Sequence, residues 1–81
     1  MNFTQIAGWD EASRVLKQTI AVTPLGQEFT IRQIIGEVAW APLQHKTRHD
    51  FGRHVRRSLE QYGLVFARKA GRVLVYKKSA I

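Results

Sequence analysis

The spacing of apolar residues changes at Gly63, and this change constrains the fold more than any other feature of the chain. Before Gly63, apolar residues recur at the three- and four-residue intervals of helices that pack on a core through one face. After Gly63, two runs rich in valine, leucine and aromatic residues flank a short basic segment, as in a β-hairpin. We therefore predict an α+β fold with three helices followed by a C-terminal hairpin.

The chain has 81 residues and no cysteine. This length predicts one domain over residues 1–81 whose core is marginal for folding alone, so a homodimer or a partner protein stays open. The lack of cysteine removes disulfides, thiolate metal ligands and cysteine nucleophiles. No apolar run approaches the ~18 residues of a membrane span, and the first residues lack the pattern of a signal peptide. We expect a cytoplasmic protein with no membrane partner.

The first predicted helix covers residues 10–20. Asp10 is its expected N-cap, because a carboxylate accepts hydrogen bonds from the free N–H groups of a first turn. One apolar face follows at helical spacing and consists of Ala12, Val15, Leu16 and either Thr19 or Ile20. Pro24 and Gly26 mark the next loop, and residues 27–29 are predicted to form a very short extended piece.

Thr30 opens the second predicted helix. Its hydroxyl and the Gln33 side chain can form a capping box, in which each side chain bonds the backbone N–H of the other residue. The predicted buried face consists of Ile31, Ile34, Ile35 and Val38. Pro42 ends this helix, because the residue before a proline is pushed out of the helical region. Residues 40–46 are then a connector of seven residues.

A third helix is predicted from Thr47, its N-cap, to Tyr62, and Gly63 ends it in the left-handed conformation. Asp50 complements the positive end of the helix. The predicted apolar stripe consists of Phe51, Val55, Leu59 and Tyr62. The opposite face carries Lys46, His49, Arg53, Arg56, Arg57 and Glu60. This helix is therefore expected to face the core on one side and to carry positive charge on the other.

The hairpin is predicted over residues 64–76, with residues 68–71 as its turn. Glycine at the fourth turn position suits a type I turn followed by a one-residue bulge. If Ala67 lies opposite Arg72, one face holds Leu64, Phe66, Val73 and Val75, and the other holds Val65, Leu74 and Tyr76. The residues expected at the exposed tip are Arg68, Lys69 and Arg72.

Positive charge is concentrated in the second half of the chain. Ten of the 13 lysines and arginines lie between Lys46 and Lys78, together with only two acidic residues. The part before His45 has three bases and four acids. Such an asymmetry predicts a polyanionic partner, most often nucleic acid.

The order of helix, short extended piece, helix, helix and hairpin resembles the winged helix-turn-helix superfamily over roughly residues 10–78. In that superfamily the third helix enters the major groove of DNA, and the hairpin, called the wing, contacts the backbone or the minor groove. The resemblance implies DNA contacts from residues 47–63 and from the wing tip, residues 68–72. The long connector departs from the pattern, because a compact helix-turn-helix has a turn of about 3–4 residues.

We expect a sequence-specific duplex-DNA-binding protein, either a small transcriptional regulator or an accessory factor of phage or plasmid type. Arginine supports this expectation because it makes bidentate contacts with guanine and with phosphate. Gly52 lacks a side chain beside Arg53 and would let the backbone approach the bases closely. The expected base contacts are Lys46, His49 and Arg53. The expected phosphate contacts are Arg48, Arg56, Arg57, Arg68, Lys69 and Arg72.

Two other binding functions stay open. The same basic surface could bind RNA. A protein-interaction adaptor would instead expose an apolar patch made of Phe3, Ile6, Trp9 and Trp40, although both tryptophans are expected to cap the core.

Neither a metal site nor an active site is predicted. His45 precedes the third predicted helix, and His49 and His54 lie on different faces of it, so we expect no metal. His54 is expected at the edge of the core. The chain has no glycine-rich phosphate loop and no acidic pair placed for acid–base work. We therefore expect no cofactor and no enzyme activity.

Overall fold

The computed structural model describes residues 2–80, which form five helices and one three-stranded antiparallel sheet. The helices are α1 (Phe3–Val22), α2 (Ile31–Ile35), α3 (Glu37–Trp40), α4 (His45–Arg57) and α5 (Leu59–Tyr62). The strands are β1 (Glu28–Phe29), β2 (Leu64–Ala70) and β3 (Val73–Lys78). The predicted α+β class is confirmed, with a hairpin after the helices.

Helix α1 is longer than predicted. It begins at Phe3, where the side chain of Asn2 accepts a hydrogen bond from the Gln5 backbone N–H at 2.9 Å. The prediction of Asp10 as the N-cap is wrong, because Asp10 is an exposed residue in the middle of the helix. Gly8 obscured this continuity in the sequence. A Cβ atom at Gly8 would lie 2.8 Å from Leu43 Cδ2, so the glycine lets α1 pack closely against the segment that contains Leu43.

The capping box at Thr30 is confirmed. The Gln33 N–H donates to Thr30 Oγ1 at 3.1 Å, and the Thr30 N–H donates to Gln33 Oε1 at 3.0 Å. The prediction of one continuous helix up to Pro42 is wrong, because Gly36 adopts a φ of +84° and separates α2 from α3. The break removes Val38 from the buried face, and its side chain is 94% exposed.

The connector before α4 is shorter than predicted and consists of residues 41–44. Helix α4 begins at His45, with Gln44 as its N-cap. The prediction of Thr47 as the cap is wrong, since Thr47 is buried inside the first turn. Instead, the Gln44 N–H donates to the side-chain oxygen of Gln5 at 2.9 Å, so α1 holds the start of α4 in place.

The third predicted helix is divided at Ser58, whose φ of −127° and ψ of 35° lie outside the helical region. Short helix α5 follows and ends at Gly63, which adopts the predicted left-handed conformation with φ 69° and ψ 34°. After the break, the Tyr62 hydroxyl lies 2.9 Å from Ser13 Oγ and 3.1 Å from His54 Nε2. The prediction of one helix to Tyr62 is therefore wrong, although its end is confirmed.

The hairpin turn lies two residues later than predicted, because Ala70 pairs with Val73 and leaves Gly71–Arg72 as the loop. Gly71 has a φ of +64° and Arg72 has no positive φ, which is the pattern of a type II′ turn. The predicted turn over residues 68–71 and the pairing of Ala67 with Arg72 are wrong.

An irregularity in β2 leaves Ala67 without a partner in β3. An extra residue in one strand sends the following side chains to the opposite face. As a result Phe66 pairs with Tyr76, and the two rings lie 6.1 Å apart on the same face. The prediction that they lie on opposite faces is wrong. Strand β3 is central in the sheet, and Tyr76 also pairs with Phe29 of β1, which confirms the short extended piece.

The core lies between the helices and the sheet. Of the stripe predicted for the third helix, Phe51, Val55 and Tyr62 are buried, whereas Leu59 is half-buried. The other buried members of the main cluster come from α1, α2, α3, the connector and the three strands, and they include Ala12, Leu16, Ile20, Phe29, Ile34, Ile35, Leu43, Leu64 and Tyr76. Between residues 2 and 80, no helix is both long and apolar enough to cross a membrane.

Candidate nucleic-acid interface

An open groove of about 720 Å³ lies between α4 and the hairpin. One wall is the outer face of α4, and the other is the hairpin from Arg72 to Tyr76. The first turn of α2 and the Trp40 side chain close one side. The arginines that line the groove are Arg32, Arg48, Arg53, Arg56 and Arg72. Among the described residues, no aspartate or glutamate lines it, so the groove is suited to an anion.

The groove also has apolar walls, to which Ile31, Val73 and Leu74 contribute. Tyr76 is buried beneath it. Burial raises the pKa of the Tyr76 phenol above its usual value, and the positive charge of Arg56 acts in the opposite direction. The phenol is therefore neutral near pH 7, so Tyr76 adds no negative charge to the positively charged groove above it.

Besides Arg48, three residues that were predicted to contact DNA line the groove from α4, namely His49, Arg53 and Arg56. All three side chains are exposed. Arg53 Nη2 lies 3.1 Å from His49 Nε2, so these two side chains form one polar surface. Gly52 lies between them along the helix and also lines the groove. A Cβ atom at Gly52 would meet no atom within 4 Å, so packing within the chain does not require a glycine there.

Lys46 and Arg57 are exposed but do not line the groove. Lys46 Nζ lies 3.3 Å from the Asp50 carboxylate, one turn further along α4. Arg57 is the last residue of α4. The structure therefore places these two predicted contacts outside the lining of the groove.

Arg48 lines the groove but is half-buried. Its Nη2 donates to the Ala41 carbonyl at 3.2 Å, and the guanidinium carbon lies 5.7 Å from the centre of the Trp40 ring. These contacts hold the side chain against the protein, unlike those of Arg53 and Arg56.

The three basic residues predicted at the hairpin tip are separated by the observed turn. Arg68 and Lys69 lie within β2, so their predicted place in the turn is wrong. The Arg68 Nε donates to Glu28 Oε1 at 2.9 Å, across the sheet. Lys69 is exposed, and Arg72 alone of the three both lies in the turn and lines the groove.

Arg32 was not among the predicted contacts, yet it lines the groove from the first turn of α2. Its Nε lies 2.8 Å from the Glu37 carboxylate. The signal that could have found it is its position beside the capping box, on the face opposite the buried isoleucines of α2.

The histidines do not form a metal site. The prediction that His45 precedes the helix is wrong, because His45 is the first residue of α4. Even so, no group of three potential ligands within residues 2–80 is arranged to hold a metal ion. His54 lies at the edge of the core, as predicted, with its ring centre 5.3 Å from that of Trp9.

The apolar patch that an adaptor would need is reduced in the structure. Trp40 is buried, and Trp9 packs against the Phe51 ring at 5.1 Å. The prediction that both tryptophans belong to the core is confirmed. Phe3 and Ile6 are 85% and 47% exposed and are the parts of this patch that face solvent.

Comparison of the chain with protein-family models, with curated proteins and with solved structures gives no match. The groove and its charges are therefore the evidence on function.

Proposed function

We propose that this protein binds duplex DNA sequence-specifically, with α4 in the major groove and the hairpin as a wing on the phosphate backbone. The observation that carries this proposal is the groove, which has arginines on both walls and, within residues 2–80, no acidic residue in its lining. A solvated basic surface would not need arginines from two separate elements to converge on one concave site. We propose further that the chain is a winged-helix regulator or accessory factor that works in the cytoplasm.

The order of the elements supports the winged-helix assignment. The connector between α3 and α4, residues 41–44, is close to the length of a compact helix-turn-helix turn of about 3–4 residues. The hairpin follows α4 and α5 directly and brings Arg72 to the same groove as α4.

The exposed face of α4 has the chemistry for reading base edges. The DNA major groove admits an α-helix, and arginine can bond both acceptors of a guanine. Arg53 and His49 lie on either side of Gly52 along the helix, and Gly52 contributes no side chain to this face. We assign base contacts to these two side chains.

Arg56 and Arg72 approach from opposite walls of the groove, and we assign them to phosphates. Arginine suits this role because its planar guanidinium bonds two phosphate oxygens at once.

The test is selection from a random duplex library at physiological salt, followed by binding of the enriched duplex in competition with structured RNA. We expect one enriched motif and preference for the duplex over RNA. Tighter binding to the RNA would assign the groove to RNA. Failure to bind either nucleic acid would contradict the proposal.

A matched pair of variants links the binding to the groove. Arg72→Gln and Arg14→Gln each remove one positive charge, but Arg14 lies on α1, outside the groove, bonded to Glu11. We expect weaker binding for Arg72→Gln and unchanged binding for Arg14→Gln. Equal losses would mean that net charge, and not the groove, determines binding.

A further inference from the structure

Arg48 lies at a junction of three elements. It occupies the first turn of α4, and its side chain reaches back to Trp40, the last residue of α3, and to Ala41, the first residue of the connector. The Arg48 side chain thus links α4 to the residues at the beginning of the connector. Among residues 2–80, no other arginine of α4 forms a hydrogen bond or a cation–π contact with α3 or with the connector.

We infer that Arg48 is a positioning residue, which sets the angle of α4 against α2 and α3 and does not bind phosphate. This inference rests on the proposed function, because its consequence is measured on DNA affinity. It differs from the sequence-based expectation, which placed Arg48 among the phosphate contacts.

The geometry of the side chain favours this role. The guanidinium lies over the Trp40 ring, a placement in which a cation is attracted by the aromatic face. The Arg48 Nε is buried and has no hydrogen-bond partner. Leaving a buried donor unpaired costs free energy, so this placement persists only because the ring and the Ala41 carbonyl hold the rest of the group. A side chain held in this way is not free to follow a phosphate.

A charge interaction connects Arg48, through Glu37, to Arg32 of α2. The pKa of the Glu37 carboxyl is lowered, first by its hydrogen bond and charge interaction with Arg32 and to a smaller extent by the charge of Arg48. Glu37 begins α3, and Arg32 lies in α2. Arg48 therefore interacts with both ends of α3. Its charge acts on Glu37, the first residue of α3, and its guanidinium contacts Trp40, the last residue.

Lysine and glutamine at position 48 separate positioning from phosphate binding. Lysine keeps the charge but lacks the planar guanidinium that stacks on a ring and bonds a carbonyl in the same plane. If Arg48 positions α4, Arg48→Lys and Arg48→Gln should both weaken binding to the enriched duplex about tenfold, the size of effect expected for one desolvated cation–π contact and one hydrogen bond. The slope of log affinity against log salt should stay unchanged in both variants.

Other results would overturn the inference. A lost phosphate contact would flatten the salt slope by about 0.9 in Arg48→Gln, and lysine would restore it. A merely structural role would lower the melting temperature and leave affinity unchanged well below it. Unchanged affinity in both variants would equally exclude positioning. The Arg14→Gln variant controls for the loss of one charge.

A second measurement does not depend on nucleic acid, so failure of the proposed function stays distinguishable from failure of this inference. In a Trp9→Phe background, Trp40 is the remaining tryptophan. Acrylamide quenching of its fluorescence should increase in Arg48→Gln and in Arg48→Lys, because the guanidinium covers the ring, and should stay unchanged in Arg14→Gln. Unchanged quenching in the two Arg48 variants would overturn the inference even if the wild-type protein binds no duplex.

Discussion

No contact within the protein explains why position 52, inside a helix, is a glycine. It lies in α4 and lines the groove, and a side chain there would enter open space. Glycine in a helix interior costs about 1 kcal/mol relative to alanine. The protein therefore gives up stability at this position, and the proposed function supplies a reason, namely close approach of the helix backbone to DNA.

Gly52→Ala should consequently separate stability from binding. We expect the free energy of unfolding to rise by about 0.5–1 kcal/mol, because helix propensity improves without a clash. Binding to the enriched duplex should weaken at the same time. Thermal unfolding and duplex titration of the same preparation measure both quantities. A variant that is more stable and binds as tightly as the wild type would show that the glycine has no role at the interface.

Arg53 and Arg57 should differ in what they recognise. Arg53 lines the groove beside Gly52, whereas Arg57 is exposed at the end of α4, outside the groove. Arg53→Ala should cost about 1–3 kcal/mol on the preferred duplex and relax the preference at one base pair. Arg57→Ala should weaken binding to all sequences alike. Both variants are titrated on the enriched duplex and on a scrambled one at the same salt, and equal losses on both duplexes would remove sequence reading from α4.

Among the helices, α1 and α4 carry the side chains with no solvent exposure, whereas α5 buries Tyr62 but leaves Leu59 partly exposed. Leu16 of α1 is completely buried, whereas Leu59 of α5 is half-buried. Leu16→Ala should lower the free energy of unfolding by about 2–5 kcal/mol, and Leu59→Ala by less, because the cost follows the cavity that is created. Denaturant unfolding of the two variants measures both values. A larger loss for Leu59→Ala would contradict the break of the helix at Ser58.

The hairpin should act on the DNA backbone through its turn. Arg72 lies in the turn and lines the groove, while Lys69 is exposed in β2 beside it. Replacing both with alanine should weaken binding similarly across sequences and flatten the salt slope by ~1–2. When each residue is replaced alone and measured over the same salt range, Arg72→Ala should cause a larger loss of affinity and a larger change in slope than Lys69→Ala. If affinity does not change while the fold is intact, the hairpin charges serve solubility alone.

Local signals in the sequence predicted several element boundaries correctly. The capping box at Thr30 and the left-handed Gly63 are both present, because each depends on neighbours within four residues in the chain. The errors arose where distant residues decide. Gln5 fixes the start of α4, and packing against Leu43 explains a glycine inside α1. Neither contact can be read from spacing along one segment.

The candidate site was predicted best where it depends on one helix. The exposure of His49, Arg53 and Arg56 follows from helical phase, which the break at Ser58 does not alter. The hairpin residues were placed poorly for two reasons. Gly71 is the first residue of a two-residue loop and not the fourth residue of the turn, and the unpaired Ala67 changes the register further along the strand. Arg32 was missed because only the folded chain brings α2 to the groove.

In the molecule as a whole, most of the positive charge lies on the same elements that form the groove. The chain carries a net charge of +7, and ten of its 13 basic residues follow Gln44, the start of the surface formed by α4 and the hairpin. The first part of the chain, which includes α1, has more acids than bases. A polyanion would therefore be attracted to one side of the molecule, and the groove lies on that side.

This arrangement predicts a steep dependence of binding on salt. If about six exposed cations of α4 and the hairpin neutralise phosphates, log affinity against log salt should have a slope of about −5 on duplex DNA, because each contact releases condensed counterions. Titrations at several salt concentrations with the enriched duplex measure it. Arg14→Gln should keep the wild-type slope, because α1 lies outside the groove. A slope near zero, or no binding at low salt, would contradict nucleic-acid binding. If the enriched and scrambled duplexes bind with equal affinity and both give a slope near −5, the protein binds DNA without sequence specificity.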